Sequence, residues 1–451
     1  MRQISLLILL VTLAWQTAVA QVASFDERPL TLCSQRIYRT EFSPFDTRQE
    51  ALSGNHTSTA EHIPFVPTYH NTVGELEFFG QQIEIPTAWI DNNTYLHVEN
   101  AQSAYSVAIG DTMIGSAEEG STPADYLLSP YLKQGNNRIM IILRPSRTAE
   151  LNADSPASSR AKLEGCYITS QRRLSIFDYD VRITPDEKGE TLRLALDIIA
   201  ANDFNGSETI AIGYDIYDPS GKLVDYAVRE MTLEGRSRDT LRVRTSLGAE
   251  MRYLWQSGKA SLYRLMLYTK RNGKPREYIP LRVGAGTTTF ADGKILRNGK
   301  PIQIKSVRYN ALKGRKEAIA EITALRKQGY NTLLPDAPQP KWFYDVCDGL
   351  GVYVVEQCAI SPATLNDDRR VGGTPSNNPL LADEYIDRVR AAYYRTRNHS
   401  CIIAYSLGST KAGNGYCMYK AYEWLKTVER ERAVVCLSAD GEWNTDLDKI
   451  E

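Results

Sequence analysis

Residues 398–411 read NHSCIIAYSLGSTK, and the reading of this stretch decides the fold. The apolar run Cys401–Tyr405 is entered through polar residues and left through Ser406, Leu407, Gly408 and Ser409. A short apolar run between turn-forming residues predicts a strand buried on both faces, whose C-terminal end opens into a loop. In a barrel of parallel strands, that end faces the substrate.

Working outward, the same alternation of strand and helix begins at Asn298-Gly299-Lys300-Pro301. Strands are predicted over 302–307, 331–334, 352–355, 402–407 and 433–437. Between them fall helices over 317–328, with Ile319, Ile322 and Leu325 on one side, over 341–350, and over 382–394, with Tyr385, Ile386, Val389 and Tyr393 on the apolar face. A further helix is predicted over 418–428. Strands alternating with helices of this length imply a parallel sheet.

Before residue 291 the period is two. Tyr95–Val98, Tyr105–Ile109 and Arg138–Arg144 are short strands separated by turn signals at Gly110-Asp111, Gly120-Ser121 and Gly135-Asn136-Asn137. Farther on, Leu192, Leu194, Leu196 and Ile198 alternate with Arg193, Ala195, Asp197 and Ile199, and Ile210, Ile212, Tyr214 and Ile216 repeat the pattern. Two consecutive half-buried β-sandwiches follow. Residues 21–62 show little periodicity and read as an extended arm.

The chain opens with Arg2, an apolar core from Ile4 to Trp15, and Ala18-Val19-Ala20, which predicts a secretory signal peptide cleaved after Ala20. A periplasmic or secreted protein is expected. The apolar core is too short to span a bilayer. Without residues 1–20 the chain has 52 basic and 54 acidic residues, a formal charge of −2 that argues against nucleic acid or a membrane surface as partner. With 451 residues and 42% hydrophobic composition it can build two or three domains with their own cores. Seven cysteines leave at least one unpaired, and five lie in the last 105 residues, mostly inside apolar runs, so buried thiols are expected rather than a disulfide framework. No Cys-x-x-Cys or His-x-x-x-His spacing points to zinc, and no cofactor is expected.

The motifs in combination resemble glycoside hydrolase family 2, the family of the large bacterial β-galactosidases. There an Asn-His-Pro-Ser entrance leads to a Trp-Ser-Leu-Gly-Asn-Glu exit, which Asn398-His399 and Ser406-Leu407-Gly408 match. The order Val98, Ser103-Ala104-Tyr105, Ile109-Gly110, Ile114-Gly115, Thr122-Pro123-Ala124, Tyr131-Leu132 and Gly135-Asn136 is similar to the family's sugar-binding domain. Trp255, Leu262-Tyr263 and Val283-Gly284 follow the order of its next domain. Most of residues 63–445 is covered. The resemblance implies a multidomain β plus α/β protein: a jelly-roll β-sandwich at 63–170, an immunoglobulin-like β-sandwich at 171–290, and at 291–451 an incomplete TIM (β/α) barrel, about five of eight strands.

It also places the family's chemistry on positions that do not carry it. Retaining glycosidases use two carboxyl groups about 5 Å apart. The family's acid/base Glu corresponds to Thr410 and the sugar-binding Asn before it to Ser409, while the nucleophile's strand is expected beyond Glu451. The family's magnesium ligands correspond to Ser361 and Ala363, and a histidine after the first strand to Asn310. The Gln-Asp-Met-Trp-Arg stretch of the sugar-binding domain falls on Ser158–Tyr167, which lacks the aspartate. Thus no metal is expected, and His399 is expected to keep a structural hydrogen bond.

Four readings remain open on the residues. A non-hydrolytic protein binds a β-linked glycan at the jelly roll and barrel mouth, with Asn310, Trp342, Tyr405 and Trp443 against the sugar. An active β-galactosidase uses relocated carboxylates at Asp336, Glu356 or Asp440, whose plainer reading is as solvated or capping groups. An interaction protein covers its open half-barrel with a partner or by self-association. A truncated gene remnant has no role of its own.

Overall fold

The computed structural model describes residues 35–54, 62–152, 162–248, 251–311, 313–364, 368–439, 441–442, 444–447 and 450. The expected signal peptide, Cys33, His56, Asp440, Trp443 and residues 158–161 lie outside the described residues. No helix among the described residues is long and apolar enough to cross a membrane.

Two antiparallel sandwiches come first. One packs a four-stranded sheet (His62–Pro64, Tyr167–Arg172, Asn92–Val98, Ala124–Leu127) on a five-stranded sheet formed by Tyr69–Val73, Leu76–Glu84, Asn136–Arg144, Ala104–Ile109 and Thr112–Ala117. The second packs three strands on four between Leu174 and Gly284. Its alternation is the sequence pattern made physical: Leu192, Leu194, Leu196 and Ile198 are at most 1% exposed, whereas Arg193 faces solvent. Burying each such side chain contributes roughly 1.5–3 kcal/mol.

From Ser306 the chain forms a five-stranded parallel sheet in sequential order, β1 (Ser306–Arg308), β2 (Thr332–Leu334), β3 (Tyr353–Gln357), β4 (Ile402–Ser406) and β5 (Ala433–Val435). The connections are α1 (Arg315–Lys327), α2 (Lys341–Leu350), α3 (Ala382–Thr396) and α4 (Tyr416–Val428). Every residue of β3 and β4 is buried, as expected for central strands covered on both faces. Helix α2 stops at Gly351, whose φ of 65° closes the last turn in the left-handed region. The first strand starts later than the predicted 302. Ile302 N–H still donates to Ile295 O of the preceding hairpin at 2.9 Å, and the Asn331 side chain accepts from Lys305 N–H at 2.8 Å. Hairpin and side-chain bonds thus hold much of residues 302–305, Lys305 O accepts from Asn331 N–H at 3.0 Å, and the paired register begins at Ser306.

Helix α3 is buried on nearly all sides, not on one stripe, because other parts of the chain cover its far face. Fully buried Arg388 donates to Glu384 at 2.6 Å, Ala359 O at 2.6 Å, Asn152 Oδ1 at 2.5 Å and Thr148 Oγ1 at 2.9 Å, the last two from the first sandwich. Buried Arg36 of the arm bridges Glu119 at 3.2 Å and Asp387 at 3.4 Å. The arm is thus structured: Phe45 and Tyr278 exchange backbone bonds of 2.9 and 2.7 Å, and the helix Arg48–Ser53 begins with a Thr47/Glu50 capping box. All six described cysteines are free and buried.

Candidate functional site

The C-terminal ends of the parallel strands bring together polar side chains from three consecutive loops. After β1, Asn310 donates from Nδ2 to Asp336 Oδ2 at 2.9 Å, and Asp336 N–H returns a bond to Asn310 Oδ1 at 2.9 Å. Arg308 pairs with the other oxygen of Asp336. Gln339 joins from below, accepting from Ala311 N–H at 2.9 Å and donating to Asn310 Oδ1 at 3.3 Å. At the end of β3, Gln357 donates to Asp336 O at 2.6 Å.

The β4 exit is sealed by its own backbone. Ser409 N–H donates to Ile360 O at 2.9 Å, Ser406 Oγ donates to Gly408 O at 2.7 Å, and a Cβ at Gly408 would lie 2.7 Å from Ile360 O. Ser409 is buried and Thr410 exposed. Thr410 offers a hydroxyl where a general acid needs a tunable carboxyl.

Two sequence expectations fail on strand parity. Glu356 does not face the strand-end cluster: its side chain is fully buried against α2, where Tyr344 donates to Oε2 at 2.6 Å. Burial pushes the Glu356 carboxyl up to about 7, against the opposing pull of the Tyr344 hydroxyl and the Arg395 charge. Its neighbour Gln357 points to the strand-end side instead, because successive side chains of a strand alternate. Tyr405 is likewise a core residue, fully buried with its ring 5.6 Å from Tyr393 and under the Arg432 guanidinium, so it has no free face for a sugar. Trp342 is half-buried at the start of α2 and packs against the same core. Asp336 does reach the cluster, already paired.

Farther along the same end, Asn414 donates to Glu442 Oε2 at 2.7 Å and Arg369 pairs with the other oxygen. The sequence reading missed Arg308, Gln339, Gln357, Asn414 and Glu442. Their signal was position alone: each ends a strand or lies in the loop after one.

The magnesium positions do not fit a metal. Ser361 is buried with its N–H bonded to Leu151 O at 2.6 Å, Ala363 is exposed, and neither carries a carboxylate or imidazole. Two other clusters have metal-ligand side chains, but their atoms are engaged. Asp348 accepts from Cys401 N–H at 2.7 Å and bonds His399 Nδ1 at 2.7 Å. His97 lies between Asp125 at 2.8 Å and Glu99 at 2.9 Å, with Glu41 nearby. Burial works against a charged His97 ring, yet its bonds to Asp125 and Glu99 prevail and push it up to about 10.

Two sandwiches followed by a parallel α/β unit with a polar cluster at its C-terminal strand ends are the architecture of a multidomain glycosidase-type protein. Residues 289–451 match the family described as "Glycosyl hydrolases family 2, TIM barrel domain". The β-galactosidase of Priestia megaterium is 25% identical over 386 residues, covering 82% of this chain and 37% of that protein. That of Yersinia enterocolitica is 26% identical over 369 residues, covering 77% and 34%. The chain therefore spans about a third of the length of these curated relatives. Among solved structures, a Bacteroides uniformis β-glucuronidase superposes with a TM-score of 0.65 at 16% identity, over 83% of this chain and 48% of that one. A Bacteroides vulgatus β-glycosidase gives 0.65 at 18%, over 91% and 55%. Residues 289–451 thus carry the match to the family's TIM barrel domain, and the chain is similar to family 2 proteins at partial length relative to them.

Proposed function

We propose that this protein is a non-hydrolytic member of the family that holds a β-linked glycan at the C-terminal ends of its parallel strands. The reading is supported by Thr410, an exposed hydroxyl at the position to which the resemblance assigns the family's acid/base carboxyl. The described carboxylates nearby do not replace it. Asp336 is held by Arg308 and Asn310, and Glu356 is buried against Tyr344. What remains is a set of amides and a paired carboxylate, suited to bonding sugar hydroxyls. The first domain acts as a jelly-roll support, the second as an immunoglobulin-like spacer, and the parallel unit as an incomplete barrel in a periplasmic or secreted protein.

The test is a calorimetric titration with methyl β-galactoside and methyl β-glucoside, beside an assay with an aryl β-galactoside. Saturable binding without turnover is expected. Turnover abolished by Asp336→Asn establishes the relocated-carboxylate enzyme instead.

A second reading is favoured by the sheet edges. Strands β1 and β5 have no outer neighbour among the described residues, and unpaired edges invite pairing. In this reading a partner chain or a second copy covers them, and light scattering at several concentrations tests self-association. A monomer at all concentrations excludes the second copy.

A further inference from the structure

A cleft of about 520 Å3 opens at the N-terminal ends of β1, β2 and β3, the opposite end of the sheet from Asn310 and Asp336. Among the described residues its walls carry three cationic side chains, Arg297, Lys300 and Lys305, and no Asp or Glu. Most of the other lining groups are neutral donors and acceptors, among them Gln256, Asn331 and Tyr353. The volume is that of a small-molecule site.

Arg297 shows what is missing. It is only 7% exposed, and its guanidinium donates to Trp255 O at 3.0 Å, Thr288 Oγ1 at 2.8 Å and Ala285 O at 3.5 Å. All three acceptors are neutral. Asp348 acts on it from farther off, but its two oxygens are engaged by His399 and by Cys401 N–H. Burial without a counter-charge pushes Arg297 down to about 10. Buried charges are ordinarily paired, and a guanidinium has five N–H donors, more than the three bonds use. Lys305 is held at the rim through Asn331, whose side chain accepts from Lys305 N–H at 2.8 Å and donates to Gln303 O at 2.8 Å.

We propose that this cleft binds a small oxyanion carried on a hydroxyl-rich body, the chemistry shared by a uronic acid and a sugar phosphate. The oxyanion supplies a counter-charge for Arg297, whose hydrogen-bond acceptors among the described residues are all neutral, and meets Lys300 and Lys305 on the cleft walls, while the amides and the Tyr353 region receive hydroxyls. The site is independent of the glycan-binding reading, since it lies at the other end of the strands.

The experiment titrates glucuronate, glucose 6-phosphate, methyl β-glucoside and inorganic phosphate into the full chain by calorimetry, at low salt and at about 0.5 M salt. One or both sugar anions are expected to saturate the site with Kd below about 1 mM, and the neutral glucoside to bind at least about tenfold more weakly. Lys305→Ala, at an exposed position, is expected to weaken binding by about tenfold while Tm holds; Arg297→Leu is expected to weaken it as much but to lower Tm, because Trp255 O, Thr288 Oγ1 and Ala285 O lose their donor. Asp336→Ala is expected to leave it unchanged. A response to only one sugar anion supports the site and identifies the source. Phosphate binding as tightly as either sugar anion overturns the hydroxyl-rich part. No saturation by about 10 mM with folded protein, or affinity indifferent to Lys305→Ala, overturns the site.

Discussion

Asn310 and Asp336 hold each other by two bonds of 2.9 Å, one from each residue, across the C-terminal ends of β1 and β2. Each presents its polar atoms because the other fixes its rotamer. Removing one partner leaves the other unpaired at a site where it is half-buried.

Asp336→Ala is accordingly expected to weaken any β-galactoside titration by about tenfold, the value of about 1.4 kcal/mol in lost orientation and hydrogen bonding. Circular dichroism melts are expected to change little, since the residue lies at a strand end. Unaltered affinity would remove this cluster from the glycan-binding reading.

Glu356 makes stability depend on pH. Its carboxyl is raised to about 7 by burial, so the folded state binds its proton more tightly than the unfolded chain does. Stability from this group is full below the unfolded value of about 4.3 and is lost as pH rises through about 7. Glu356→Gln keeps a neutral partner for Tyr344 and is expected to flatten the slope of urea midpoint against pH over that window. An unchanged slope contradicts the assignment.

Arg388 joins α3 to the first sandwich through Thr148 and Asn152. Arg388→Ala leaves Glu384 buried without its cation, at a cost of about 3–5 kcal/mol. The expected outcome is a lowered urea midpoint and separate melting of the sandwich region; a single transition at the wild-type midpoint is incompatible with it.

Phe45 is 5% exposed and packs with Ala51, Met266 and Tyr278. Phe45→Ala is expected to cost about 3–5 kcal/mol locally and to free the arm, so that brief proteolysis cuts within residues 46–54 while the sandwiches persist. Resistance equal to wild type means that its other contacts, such as Arg36 with Glu119 and Arg48 with Asp215, hold it.

Much of the parallel unit was legible because its signals are local. The α2 limits match the predicted 341–350, and β4 ends one residue short of its prediction. The two-residue period of Leu192–Ile198 gave the second sandwich its inner face. The Thr47/Glu50 capping box was also readable, but the unpatterned sequence around it concealed a folded arm whose contacts lie 80 to 350 positions away, at Glu119 and Asp387.

The sequence by itself determined the succession of two sandwiches and a parallel strand-and-helix unit, and the resemblance to glycoside hydrolase family 2, because each rests on residue identity and short-range periodicity. Only the tertiary structure decided that Glu356 and Tyr405 are buried while Gln357 reaches the strand-end cluster, that α3 is enclosed on nearly all sides, and that the hydrogen-bond acceptors of buried Arg297 among the described residues are all neutral. Which face a strand side chain takes, and what charge stands opposite it, depend on partners distant in the chain, and burial converts those partners into pKa and hydrogen-bonding differences that no local pattern contains.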